Sequence, residues 1–99
     1  MSDTLILEFD GGTAEDYRSV NALLGIDPDA RTGDVPAGLI HHQAAVTASG
    51  NLVVLELWES EAAFGAFMES RLGPALAQAG MPDPLRIEWG STVGVIQPW

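Results

Sequence analysis

A chain of 99 residues holds one hydrophobic core and one domain, short enough for a partner chain to add stability. Its 46% hydrophobic and 18% charged residues mark a folded globule, and a net charge of -10 argues against nucleic acid or an anionic membrane as partner. With neither cysteine nor lysine, thiolate metal sites, cysteine nucleophiles and lysine Schiff bases are excluded, so chemistry falls to His41, His42, carboxylates, arginines, Tyr17, hydroxyls or a bound cofactor.

Residues 4–9, TLILEF, form a short apolar β-prone run ended by the turn DGG. Thr13 then caps a helix, with Asp16 at the capping-box position and Tyr17, Val20 and Leu24 as its buried stripe; Gly25 ends it. Residues 25–38 hold three glycines, two prolines and three aspartates without periodicity, which predicts a loop used as a rim or lid. A hairpin follows, with strands at 39–48 and 52–59 around the turn SGN. Ser60 caps a second helix carrying Phe64, Phe67, Met68 and Leu72 at helical spacing; Gly73 and Pro74 are expected to break or kink it. Residues 85–96 predict a last strand. No apolar run approaches the ~20 residues of a membrane span. The first residues lack a signal-peptide pattern, so a cytoplasmic location is expected.

The order β-α-β-β-α-β is the ferredoxin-like α+β arrangement: a four-stranded antiparallel sheet with two helices on one face and the other face open. Alternation assigns side chains to the two faces. By apolarity, Leu5, Leu7 and Phe9, then Val53, Leu55 and Leu57, go under the helices. Glu8, Glu56 and Glu88 then join His41, Gln43, Val54 and Trp58 on the open face, while His42 falls in or beside the core and is expected to be structural. Carboxylates crowded in a partly dry cavity do not all ionise at once, which suits general acid–base chemistry.

The segment LVVLELWESEAAFGAFMESRL resembles the strand-to-helix signature of the antibiotic-biosynthesis-monooxygenase-like proteins, through Trp58, Glu59, Ser60, Glu61, Ala62 and Phe64. The resemblance implies a homodimeric α/β barrel in which two open sheet faces meet. It also implies a cavity in each subunit for a small apolar molecule. Activities in the family include cofactor-independent oxygenation of polyketides, haem degradation and lactone isomerisation. Two departures stand out. Phe67 occupies the place of a helix histidine found in many members, and residues 60–79 contain none, which argues against haem degradation. Val54 stands where the polyketide oxygenases tend to have asparagine.

The expected site therefore has His41, Glu8 and Glu56 as catalytic groups, with Trp58, Gln43, Asn21, Val54 and Glu88 contacting substrate and no metal or cofactor. His41 would deprotonate a phenol or enol, since imidazole titrates near neutrality. Reaction with dioxygen would follow in the oxygenase version; an isomerase or cyclase would only move the proton. A non-catalytic ligand-binding or assembly dimer is the contrasting class. Arg31, in the long loop, is expected to be solvated, with an acidic ligand as its alternative role.

Overall fold

A computed structural model describes residues 2–96. β1 (Asp3–Phe9) leads to α1 (Ala14–Leu24). The capping box forms as the sequence predicts: Asp16 N donates to Thr13 Oγ1 and Thr13 N donates to Asp16 Oδ2, both at 3.0 Å. Gly25 closes the helix in the left-handed region, at φ 75°.

The long loop carries its own small hairpin, β2 (Ile26–Asp27) against β3 (Thr32–Gly33). Asp27 Oδ1 accepts from the amides of Asp29 and Ala30, turning the chain, and Arg31 ends the turn at φ 58°. A side chain other than glycine there costs about 1 kcal/mol. Gly33 allows the close return. Its φ is 126°, and a Cβ there would stand 2.3 Å from the Gly25 carbonyl oxygen.

β4 (Leu39–Val46) and β5 (Leu52–Trp58) form the predicted hairpin, and β6 (Arg86–Ser91) is shorter than the expected last strand. The antiparallel sheet has the order β4-β5-β1-β6, the ferredoxin-like topology. The second helix runs as α2 (Glu61–Phe67), a π-type turn (Met68–Leu72) and α3 (Gly73–Gln78). Gly73 and Pro74 therefore widen the helix without breaking it: Gly73 N donates to Met68 O, so the extra residue accommodates the proline's missing donor and bulky ring. The widening also has a packing result. Phe67 and Leu72, five residues apart, would diverge by about 140° on a regular α-helix, yet both are buried in the core.

The register corrects the assignment of faces. Leu5, Leu7 and Phe9 of β1 stand opposite Glu56, Val54 and Leu52 of β5, and opposite residues of an antiparallel pair share a face. Leu52, Val54, Glu56 and Trp58 thus lie under the helices, all buried, and Val53, Leu55 and Leu57 occupy the open face. Apolarity misled because both rows of β5 are apolar and one glutamate tipped the comparison. Trp58, 0% exposed, packs on Phe64 and Phe67 with ring centroids 5.4 and 5.8 Å away. In β4 the register shifts between Leu39 and His41, so Ile40 is an extra residue and Leu39 joins His42 and Ala44 on the helix side.

Gly33→Ala should lower stability by about 1–3 kcal/mol, because the backbone around the loop hairpin must move. Gly11→Asn, at φ 67° with open space around it, should cost less than about 1 kcal/mol. Urea midpoints of the two variants check the contrast.

Candidate functional site

The cavity lies between the helix-covered face of the sheet and the helices, with a volume of about 1180 Å³. This cavity within one chain lies across the sheet from the open face on which the sequence placed the site. Its apolar walls include Leu7, Phe9, Val20, Leu24, Val54, Phe67 and Leu72, and the loop hairpin borders its mouth.

Into this cavity the fold brings a chain of polar side chains. Glu56, 7% exposed, is the buried end. Trp58 Nε1 donates to its Oε1 at 3.0 Å, and Oε2 lies 2.6 Å from His42 Nδ1. With Nδ1–H donating to the carboxylate, His42 Nε2 is left as an acceptor, and the Tyr17 hydroxyl, 2.5 Å away, donates to it. The Tyr17 and His42 rings lie nearly parallel, at 10°. Two elements set this up: the register places His42 directly opposite Glu56, and α1 places Tyr17 above the sheet.

Burial pushes the Tyr17 phenol above its ordinary value of 10.0, the Glu56 and Asp29 carboxylates add to the rise, and the Asn21 amide opposes it. Tyr17 is therefore a neutral O–H donor at physiological pH. Among the described residues no buried side-chain polar atom lacks a hydrogen-bond partner, and no group of three His, Asp or Glu residues is placed to hold a metal ion.

The expected site residues separate into two sets. Glu56, Asn21 and Val54 line the cavity, with Asn21 buried and its Nδ2 donating to the Tyr17 carbonyl at 2.9 Å. Trp58 does not line it; fully buried, it holds Glu56 from behind. His41 and Gln43 border the cavity along the edge strand β4, but their side chains lie on the open face, hydrogen-bonded to each other at 3.0 Å. Glu8 and Glu88 are also on the open face. Glu8 accepts from Asn51 Nδ2 at 2.8 Å, and Arg86 lies 4.0 Å from Glu8 and 2.7 Å from Glu88. The expected grouping of Glu8, Glu56, Glu88 and His41 does not form, since the sheet itself separates Glu56 from the other three.

His42 and Tyr17, expected to be structural and part of a buried helix stripe, are instead the partners of Glu56 in this chain of hydrogen bonds. The usable signal was Trp58, whose bulk demands burial. Placing it under the helices turns Glu56 inward, towards the histidine already assigned there.

No family model and no curated protein matches the sequence. Solved structures do match its fold. A candidate antibiotic biosynthesis monooxygenase from Chloroflexus aurantiacus J-10-fl has a TM-score of 0.66 at 15% identity, covering 98% of this chain and 98% of that one. Rv0793 from Mycobacterium tuberculosis gives 0.64 at 19% identity, covering 98% and 100%. A monooxygenase from the gene ActVA-Orf6 of Streptomyces coelicolor, in complex with the ligand nanaomycin D, gives 0.56 at 20% identity, covering 99% and 91%. At these identities the likeness is one of architecture: the chain has the ferredoxin-like α+β fold of these proteins along almost its whole length.

Proposed function

We propose that the protein is a cofactor-independent oxygenase acting on an electron-rich aromatic or polyketide-type molecule, with Tyr17, His42 and Glu56 moving its protons. The observation carrying this reading is the hydrogen-bonded chain from Glu56 through His42 to the Tyr17 hydroxyl in the wall of a large apolar cavity. The structural likeness to a monooxygenase solved with nanaomycin D supports it.

The relay works by paired transfers. Tyr17 Oη accepts a proton from a phenol, or from a methylene activated by one, while its own hydrogen passes to His42 Nε2. Charge then rests on the imidazolium beside Glu56, so Tyr17 never bears a full negative charge and its raised pKa is no obstacle. The substrate anion transfers an electron to dioxygen, and the resulting radicals join in a new C–O bond. The peroxide anion takes the proton back through Tyr17. Loss of the second hydrogen of the carbon as a proton, with cleavage of O–O, releases water and leaves a carbonyl; the sum is CH₂ + O₂ → C=O + H₂O. Apolar walls keep water from the anion.

The homodimer belongs to the same proposal. The open face carries Ile6, Val53 and Leu55, half-buried in the single chain, an apolar strip suited to a second copy. Among the described residues no helix is long and apolar enough to cross a membrane.

Three outcomes are expected. With a hydroxylated anthrone as probe, Tyr17→Phe and His42→Ala should each lower oxygen uptake about 100-fold; conversion persisting without dioxygen would instead favour an isomerase or cyclase. Tyr17 is the chain's one tyrosine, so alkaline absorbance titration reads it alone, and its midpoint should lie above 10.0. Because the folded pKa is the higher, the stability Tyr17 contributes is full below about pH 10 and is lost as pH rises through the folded value. Tyr17→Phe should remove that alkaline loss in denaturant titrations. Sedimentation should give a dimer that Leu55→Glu dissociates; a monomeric wild type would end the dimer proposal.

A further inference from the structure

We propose that Arg31 selects the substrate, pairing its guanidinium with a carboxylate carried on the aromatic molecule that enters the cavity. The inference deepens the proposed function and rests on it.

Arg31 borders the cavity mouth on the loop hairpin. Among the described residues it is the one arginine without an ion pair: Arg18 pairs with Asp29 at 3.2 Å, Arg71 lies 3.4 Å from Asp34, and Arg86 pairs with Glu88. Carboxylates are close in sequence, yet each is engaged elsewhere. Asp27 accepts two backbone amides, Asp29 holds Arg18 and Asp34 faces Arg71. In a chain of net charge -10, an unpaired cation at the mouth of this cavity is an exception that turn chemistry does not explain.

The backbone sharpens the point. Arg31 is the single non-glycine residue at positive φ among the described residues, at 58°, in a turn position where glycine or asparagine fits without strain. A non-glycine residue at this φ that improves neither turn nor ion pairing points to a role for its side chain. The hairpin beneath it is held at both ends. Asp34 N donates to Gly25 O at 2.9 Å, and Arg71 Nη2 donates to the carbonyls of Leu24 and Asp34 at 2.9 and 2.7 Å. The backbone of the hairpin that carries Arg31 is thus tied to α1 and to the second helix at its base, which keeps the loop beside the cavity. Its planar fork matches one carboxylate, and a single arginine in so acidic a chain suits a monoanion better than a phosphate dianion.

Calorimetric titration with anthraquinone-2-carboxylate and its neutral carboxamide tests this on the intact protein. Wild type should bind the carboxylate about tenfold more tightly, a figure set by one partly exposed charge-assisted pair. Arg31→Gly, which relaxes the turn, and Arg31→Gln should both bring the two affinities within about twofold, with the carboxamide affinity unchanged. A carboxylate preference surviving in both variants, or equal affinities in wild type, overturns the Arg31 assignment while leaving the cavity reading intact. Binding of neither probe to wild type overturns the cavity reading and the assignment together.

Discussion

The Glu56 carboxylate is the group on which the rest of the site depends. Both its oxygens are used, one by the indole N–H of a fully buried tryptophan and one by His42. A buried carboxylate is tolerated only with such partners, and a buried indole N–H needs an acceptor as much as the carboxylate needs donors. Satisfying both at once fixes the Trp58 ring under the helices, aligns β4 with β5, and turns the His42 ring so that Nε2 points to α1. Tyr17 then ties the helix to the sheet. A network of this kind gains little net stability over apolar packing, but it admits few alternative arrangements.

Much of the architecture could be read from local chemistry. The capping box at Thr13, the left-handed glycine after Leu24, the hairpin and the strand order all follow from signals confined to a few neighbouring residues. The distribution of the site across the two faces could not be read in the same way. Assigning faces by apolarity assumes one wet face, and β5 has none: Val53, Leu55 and Leu57 are apolar on the side where the sheet is open, and Leu52, Val54 and Trp58 are apolar on the side of the core. Glu56 then weighed as a solvent-facing residue, although its environment is made by Trp58 two positions on and by His42 across the strand pair. The extra residue at Ile40 left no mark in the composition of its strand either. Long-range pairing, not propensity, decided these positions.

Cavity and cover are built by different means. The walls come from regular elements whose apolar rows are brought into one space, the π-type turn turning Phe67 and Leu72 to the same side. The cover is a short hairpin held by backbone hydrogen bonds and by Arg71, whose guanidinium also lies over the Phe67 ring at 5.4 Å. Arg71 thereby couples the second helix to the loop at the mouth, so the shape of the entrance follows the position of a wall.

Ile40 stands where that loop becomes strand. Because the bulge absorbs one residue without shifting the pairs that follow, the spacing of the loop is insulated from the phase of β4. Covers of different length and charge can be exchanged in front of the cavity while His42 keeps its face and its partners. On the proposed function, the segment that meets the substrate and the residues that move its protons therefore belong to separate parts of one small domain.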